Sequence, residues 1–128
     1  MKINRSIEGG FMKEIPNNVK KSINKFIVEV NSILGNRIKR IILYGSYARG
    51  DFKKSSDIDI MILTDLTDNE IVEYRGKISD IAYDIEYENE FNITLSPLIK
   101  NIDKFNYWLE ALPFYMNVQK EGVILSEY

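Results

Sequence analysis

The sequence predicts an α/β (α+β) fold in a single domain over residues 15–128, with a sheet of four to five strands. Three observations carry this. Segments with apolar residues at helical spacing alternate with short β-branched runs, as in domains built from helices layered on a sheet. Capping and turn residues fall between those segments. A chain of 128 residues also suffices for one hydrophobic core, and 45% hydrophobic with 28% charged residues is the mixture of an ordinary globular domain.

Residues 1–14 show little periodicity and carry Gly9-Gly10, which predicts a loosely held arm or an edge element. Pro16 stands where a helix can start, because a missing N–H costs nothing in the first turn. Val19, Ile23, Phe26, Ile27, Val30, Ile33 and Leu34 then share one face, and Gly35-Asn36 closes the helix. Arg37–Tyr44 is β-branched and becomes continuously apolar from Ile41, as a strand covered on both faces does. Lys39-Arg40 at its start reads as a solvated edge. Residues 47–56 are polar and form a loop with a helical turn. Asp57–Thr64 is the second strand, with Ile58, Ile60 and Ile62 on one side. Thr67-Asp68-Asn69-Glu70 has the pattern of a capping box, and the helix it opens turns Ile71, Tyr74, Ile78, Ile81, Ala82 and Ile85 inward. A third strand is expected over Phe91–Ile99. A short helix over Ile102–Leu109, another from Pro113 to Gly122, and a strand at Val123-Ile124-Leu125 complete the chain.

Composition excludes several functions. No apolar run approaches the ~20 residues of a membrane span, and MKINRSIEGGF has no apolar signal core, so a cytoplasmic chain is expected. With no cysteine there is neither a disulfide framework nor a thiolate zinc site. With no histidine, the commonest general base and transition-metal ligand is missing, so any metal must be a hard cation held by oxygen. A net charge of −2 argues against a nucleic-acid binder, which normally carries a basic surface.

The stretch Gly45-Ser46-Tyr47-Ala48-Arg49-Gly50-Asp51-Phe52-Lys53-Lys54-Ser55-Ser56-Asp57-Ile58-Asp59 carries the chemistry. Asp57 and Asp59 are two apart on a strand, so their side chains leave the same face. Two neighbouring carboxylates repel, and a cation relieves that repulsion. Magnesium suits the pair: it takes one or two carboxylates and completes its octahedron with phosphate oxygens and water. Gly45 has no Cβ to keep a phosphate from the backbone, and Ser46 adds a hydroxyl and an N–H at the start of a helical turn. Arg49, Lys53 and Lys54 add positive charge. Alternating Asp and Ile is also what a half-exposed strand looks like, and Gly-Ser alone is an ordinary turn. Together, at this spacing and at strand ends, they arise by chance in about one of several hundred chains of this length.

This segment resembles the GS-x10-DxD signature of the polymerase-beta-like nucleotidyltransferase superfamily and looks like its minimal branch, the MNT domain. Gly45, Ser46, Asp57 and Asp59 match strictly; Ala48-Arg49-Gly50 and Ser56 follow the common form. The resemblance implies a mixed sheet flanked by helices and transfer of a nucleotidyl group from ATP or another nucleoside triphosphate, with release of pyrophosphate. It implies that Gly45, Ser46 and Arg49 bind phosphates and that Asp57 and Asp59 ligate magnesium, with two sites possible. Minimal members often pair with a HEPN-type helical protein as toxin and antitoxin and modify it with AMP. That protein is the preferred acceptor here, ahead of an aminoglycoside-like small molecule, and a partner or second subunit would complete the acceptor site.

One departure stands out. The family usually carries a third carboxylate on the next strand, where this chain places Thr94, with Asn92 and Ser96 on the same face by alternation. Losing a general base typically costs ~10²–10⁴ in rate. Glu86 is a weak substitute, with Asp84, Glu88 and Glu90 also upstream, though all four read more readily as a solvated helix end. The alternative function is therefore a catalytically weak nucleotide-binding module that acts by occupying its partner. The aromatic group Phe105, Tyr107, Trp108, Phe114 and Tyr115 could stack a base or dock a partner, with core packing the plainer reading.

Overall fold

The protein is described by a computed structural model, which covers residues 2–3 and 14–127. The arm expected over residues 1–14 lies outside the described residues except for Lys2, Ile3 and Glu14. In chain order the elements are β1 (Lys2–Ile3), α1 (Asn17–Leu34), a 3-10 turn (Gly35–Arg37), β2 (Ile38–Tyr44) and α2 (Ser46–Arg49). There follow β3 (Ile58–Thr64), α3 (Asp68–Glu88), β4 (Leu95–Asn101), α4 (Ile102–Trp108), α5 (Pro113–Glu121) and β5 (Val123–Glu127). The sheet runs β1-β5-β2-β3-β4, with β3 and β4 parallel and every other pair antiparallel. This is the expected mixed sheet flanked by helices. None of the described helices is long and apolar enough to cross a membrane.

Alternation along β3 splits the core into two layers. Ile58, Ile60 and Ile62 join Phe26, Ile27 and Val30 of α1 and Ile78 and Ile85 of α3 on one face. Met61 and Leu63 join Ile42, Phe105 and Val118 on the other, under α4 and α5. With both faces covered, β2 and β3 need apolar residues in both phases, which is why Ile41–Leu43 reads as a continuous run. Only the ends of these strands escape cover. Asp59 belongs to the face of Met61 and Leu63, so it emerges beside α5.

Local chemistry sets the helix positions. Thr67 accepts from the Glu70 N–H at 3.3 Å while Glu70 accepts from the Thr67 N–H at 3.0 Å, so the expected capping box starts α3. Arg37 donates to both oxygens of Glu70 at 3.0 Å and holds its carboxyl down at about 2, with the Thr67 N–H contributing next. At the other end of the fold, a Cβ on Gly122 would stand 2.3 Å from the Val118 carbonyl oxygen and 2.5 Å from Ile42 Cγ2. The missing side chain is what lets α5 settle onto β2.

Three expectations need correction. The strand expected over Phe91–Ile99 begins only at Leu95 and runs to Asn101. Glu90 and Phe91 both have left-handed φ, 55° and 58°, and the Phe91 N–H bonds back to the Glu86 carbonyl at 2.8 Å. The chain thus closes α3 with a turn that contains no glycine and sends no compositional signal, and Asn92 lies in it rather than on the strand. Lys39-Arg40, expected as a solvated edge, lies in central β2; ion pairs to Asp65 at 3.5 Å and Glu127 at 3.6 Å accommodate the charges. The aromatic group divides: Phe105 is fully buried against Tyr115, whereas Tyr107, Trp108 and Phe114 are exposed.

Candidate active site

The two halves of the Gly-Ser and Asp-x-Asp pattern meet at the ends of β2 and β3. Tyr44, the last residue of β2, lies directly opposite Asp59 in the antiparallel ladder, so Gly45 follows at the level of that carboxylate. Gly45 has φ +76°, and a Cβ placed on it would fall 2.2 Å from Asp59 Oδ2. The glycine is therefore required twice, by backbone sign and by the space Asp59 takes. Ser46 opens α2, a single turn in which the Ala48 and Arg49 N–H groups bond the Gly45 carbonyl at 3.1 and 3.0 Å. Gly50, with φ +87°, ends that turn.

Asp57 immediately precedes β3 and is exposed; Asp59, two residues on, is half-buried. Burial first, and the neighbouring Asp57 charge second, raise the Asp59 carboxyl above its ordinary value, while Arg49 pulls it down. The Tyr44 hydroxyl is pushed up to about 12 by burial and then by Asp59. The end of the sheet thus concentrates negative charge that the chain alone does not neutralise. A consequence can be measured. Because the folded-state value of Asp59 is raised, the fold prefers the protonated acid, and ionising it as pH rises costs stability. Asp59→Asn should raise the melting temperature of the ligand-free protein on the order of 1–3 °C at pH 7. The gain should vanish near pH 3, where the acid is protonated in both folded and unfolded chains.

A cleft of about 590 Å³, within the range of small-molecule sites, opens over this end of the sheet. Its floor is Tyr44, Gly45, Ser46 and Asp59; its wall is the face of α5 bearing Phe114, Asn117, Val118 and Glu121. Arg49 stands between floor and wall, donating through Nε to Asp51 and through Nη1 to Glu121, both at 3.3 Å. Glu121 and Asp51 in turn raise its already high pKa, so its charge is permanent.

The remaining candidates lie as follows. Thr94 is level with Asp57, since its carbonyl accepts the Ile58 N–H at 2.8 Å, and Ser96 pairs with Asp59. The strand beside the aspartates is polar there and uncharged. Glu86 comes from α3, which covers the opposite face of the sheet, and its carboxylate accepts the Leu95 N–H at 2.8 Å. Glu86 holds the start of β4. Glu88 pairs with Lys25. Among the described residues, no group of three or more Asp, Glu, His or Cys side chains is placed to hold a metal ion. Lys53 and Lys54, expected to add charge at the aspartates, line a different hollow beside Tyr47, Phe52 and Asn92. Tyr44, Asn117 and Glu121 were not candidates from sequence. The i, i+3, i+7 spacing of Phe114, Asn117 and Glu121 is the signal for one helix face, but only the packing of α5 on β2 says that this face meets the Gly-Ser turn.

Fold and site together point to the nucleotidyltransferases as a class. The chain belongs to the nucleotidyltransferase domain family, whose model matches residues 23–125, and it is accordingly an enzyme whose substrate is a nucleoside triphosphate. Two proteins of Methanocaldococcus jannaschii, each named "putative protein adenylyltransferase", are among its relatives. One is 32% identical over 108 residues, spanning 84% of this chain and 98% of that protein. The other is 36% identical over 77 residues, spanning 60% and 74%. Solved structures are more distant. A toxin–antitoxin with AMP-PNP has 18% identity and a TM-score of 0.48 over 88% of this chain and 75% of that one. A chain solved as a "putative nucleotidyltransferase" from Sulfolobus solfataricus has 17% identity and a TM-score of 0.48 over 91% and 92%. At that distance neither bears on the choice of substrate or partner.

Proposed function

We propose that this enzyme transfers AMP from ATP to a hydroxyl of a protein partner, using Asp57 and Asp59 as the metal-binding pair and Gly45, Ser46 and Arg49 as the phosphate site. The observation that carries the reading is the close approach of the Gly-Ser turn to Asp59, which brings an anion cradle and a carboxylate into one cleft, with Asp57 two residues before Asp59 at the same end of β3. The protein acceptor and the adenylyl group are supported by the relative that matches almost end to end. A HEPN-type helical protein is the preferred acceptor by the sequence's resemblance to minimal nucleotidyltransferases.

The residues present fit magnesium. They are oxygen donors only, two carboxylates of which Asp59 is raised first by burial and then by the Asp57 charge, beside a glycine whose absent Cβ lets the backbone lie against the Asp59 carboxylate. When bound by Asp57 and Asp59, the ion would supply charge neutralisation and polarisation of the phosphate under attack. The chain's own residues do the rest. Ser46 offers its hydroxyl and first-turn N–H to phosphate oxygens, which have no helical competitor there. Arg49 offers a permanent positive charge, and Glu121 and Asp51 hold its guanidinium at the cleft. The attacking oxygen bonds to the α-phosphorus as the bond to pyrophosphate breaks, and the acceptor's proton leaves to solvent or to a carboxylate.

A second reading has its own observation. Thr94 and Ser96 beside the aspartates offer no carboxylate to take that proton, which favours a slow enzyme or a nucleotide-binding module acting by occupancy. Incubating the protein with ATP, magnesium and the candidate helical partner separates the two. A partner gaining the mass of an adenylyl group supports transfer; tight association without mass gain supports the module.

A further inference from the structure

We propose that Phe114 and Asn117 form the nucleobase seat of the cleft, with the Phe114 ring as stacking platform and the Asn117 amide reading the adenine edge. This rests on the nucleotidyl-transfer reading above and assigns a part of the site that the Gly-Ser and Asp-x-Asp residues leave open.

The cleft has two chemically different ends. Arg49 and Glu121 meet at one, and this is the charged end where a polyphosphate belongs. Phe114 lies seven residues earlier on the same helix, ~10 Å away along the axis, and its ring packs edge-on against Tyr44 at 5.6 Å. Asp59 pairs with Tyr44, which carries the Phe114 contact, and also feels the Arg49 charge, so an α-phosphate held at Asp59 has the charged end to one side and lets the nucleoside extend toward the aromatic end. Val118, on the same side of α5, is buried in the core, whereas Phe114 remains 46% exposed. Among the described residues it is the one exposed large apolar side chain that lines this cleft. A phenyl ring left in water beside a nucleotide cleft is a surface on which a base gains stacking.

Asn117 is one helical turn further, between the ring and the charged end. Its amide is exposed, and no hydrogen bond occupies it among the described residues. An asparagine amide pairs with adenine by donating to N7 and accepting from the N6 amino group; guanine offers two acceptors there and cannot satisfy the amide oxygen. The pair therefore fits a purine by stacking and adenine by its edge.

The test measures binding to the full-length protein of two magnesium complexes, one of a nonhydrolysable ATP analogue and one of inorganic tripolyphosphate, which has no base. No acceptor is present, so effects on acceptor docking do not enter. Phe114→Ala should weaken the ATP analogue about 5- to 150-fold, the range of base–aromatic stacking, and leave tripolyphosphate unchanged. Phe114→Tyr, which keeps the ring, should restore binding, separating stacking from any disturbance of α5. Asn117→Ala should erase most of the preference for the ATP analogue over its GTP counterpart. Equal weakening of both ligands by Phe114→Ala, or no weakening of either, overturns the seat while the phosphate and metal assignments stand. Wild-type protein that binds neither ligand overturns the nucleotidyl-transfer reading, and the seat falls with it.

Discussion

Replacing both aspartates, Asp57→Asn with Asp59→Asn, is expected to abolish transfer while leaving a folded protein. The carboxylates stand at the open end of the sheet, one exposed and one half-buried, and neither contributes to the two core layers. Their removal relieves the burial of a charge and, second, the Asp57 repulsion that together raise Asp59, so the double variant should melt no lower than the wild type. Activity behaves oppositely. Losing one preorganised electrostatic stabiliser typically costs ~10²–10³ in rate, and this variant loses both carboxylates of the proposed metal site. A fall of ~10⁴ or more in kcat is expected, and chelation of magnesium with EDTA should reproduce it in the wild type. Steady-state rates beside thermal melts check both halves. A variant that lost activity and melted many degrees lower would have lost its fold rather than its metal.

Gly45→Ala is expected to be nearly as damaging, by a different route. The new methyl would need to occupy space 2.2 Å from Asp59 Oδ2, at a φ of +76° that L-residues rarely adopt. The backbone penalty alone is about 1–2 kcal/mol. To relieve the clash, Asp59 must swing away or the Gly-Ser turn must lift, and misplacing a reacting group by ~1 Å costs about 10²-fold. The loss lies in geometry, so raising magnesium should not restore it. Because the methyl's nearest contacts are all atoms of Asp59, the stability cost should shrink when Asp59 is shortened to glycine. A double-mutant cycle on melting free energies measures that coupling. Additive costs would mean that the turn and Asp59 do not touch in solution.

The parts of the fold legible in the sequence are those where local chemistry and burial agree. Pro16, Thr67 and Pro113 each stand at a helix start, and α1 and α3 bury the faces their spacing announces. Ile41–Leu43 reads as a covered strand because both layers of the core press on it, and the alternation of Ile58, Ile60 and Ile62 marks the face of β3 that joins the layer of α1 and α3. The start of β4 was illegible because Glu90 and Phe91 take left-handed angles without a glycine to mark them. Lys39 and Arg40 misled because charge in a central strand is tolerable only when partners such as Asp65 and Glu127 arrive from elsewhere in the chain. For the site, Gly45, Ser46, Asp57 and Asp59 could be singled out by spacing alone. The cleft wall could not. Asn117 and Glu121 share a cleft with Asp59 only because Gly122 lets α5 rest on Ile42, a contact that joins residues eighty positions apart.

The central claim is that the chemistry in this cleft moves a nucleotidyl group. ATP labelled at the α-phosphate and ATP labelled at the γ-phosphate, each given with magnesium and the proposed helical acceptor, test it most directly. The account predicts that α-label becomes covalently attached to the partner, that γ-label leaves as pyrophosphate, and that both events disappear with Asp57→Asn and Asp59→Asn. Attachment of γ-label would mean phosphoryl transfer, and α-label transfer that survived loss of both aspartates would place the chemistry elsewhere; either result contradicts the account.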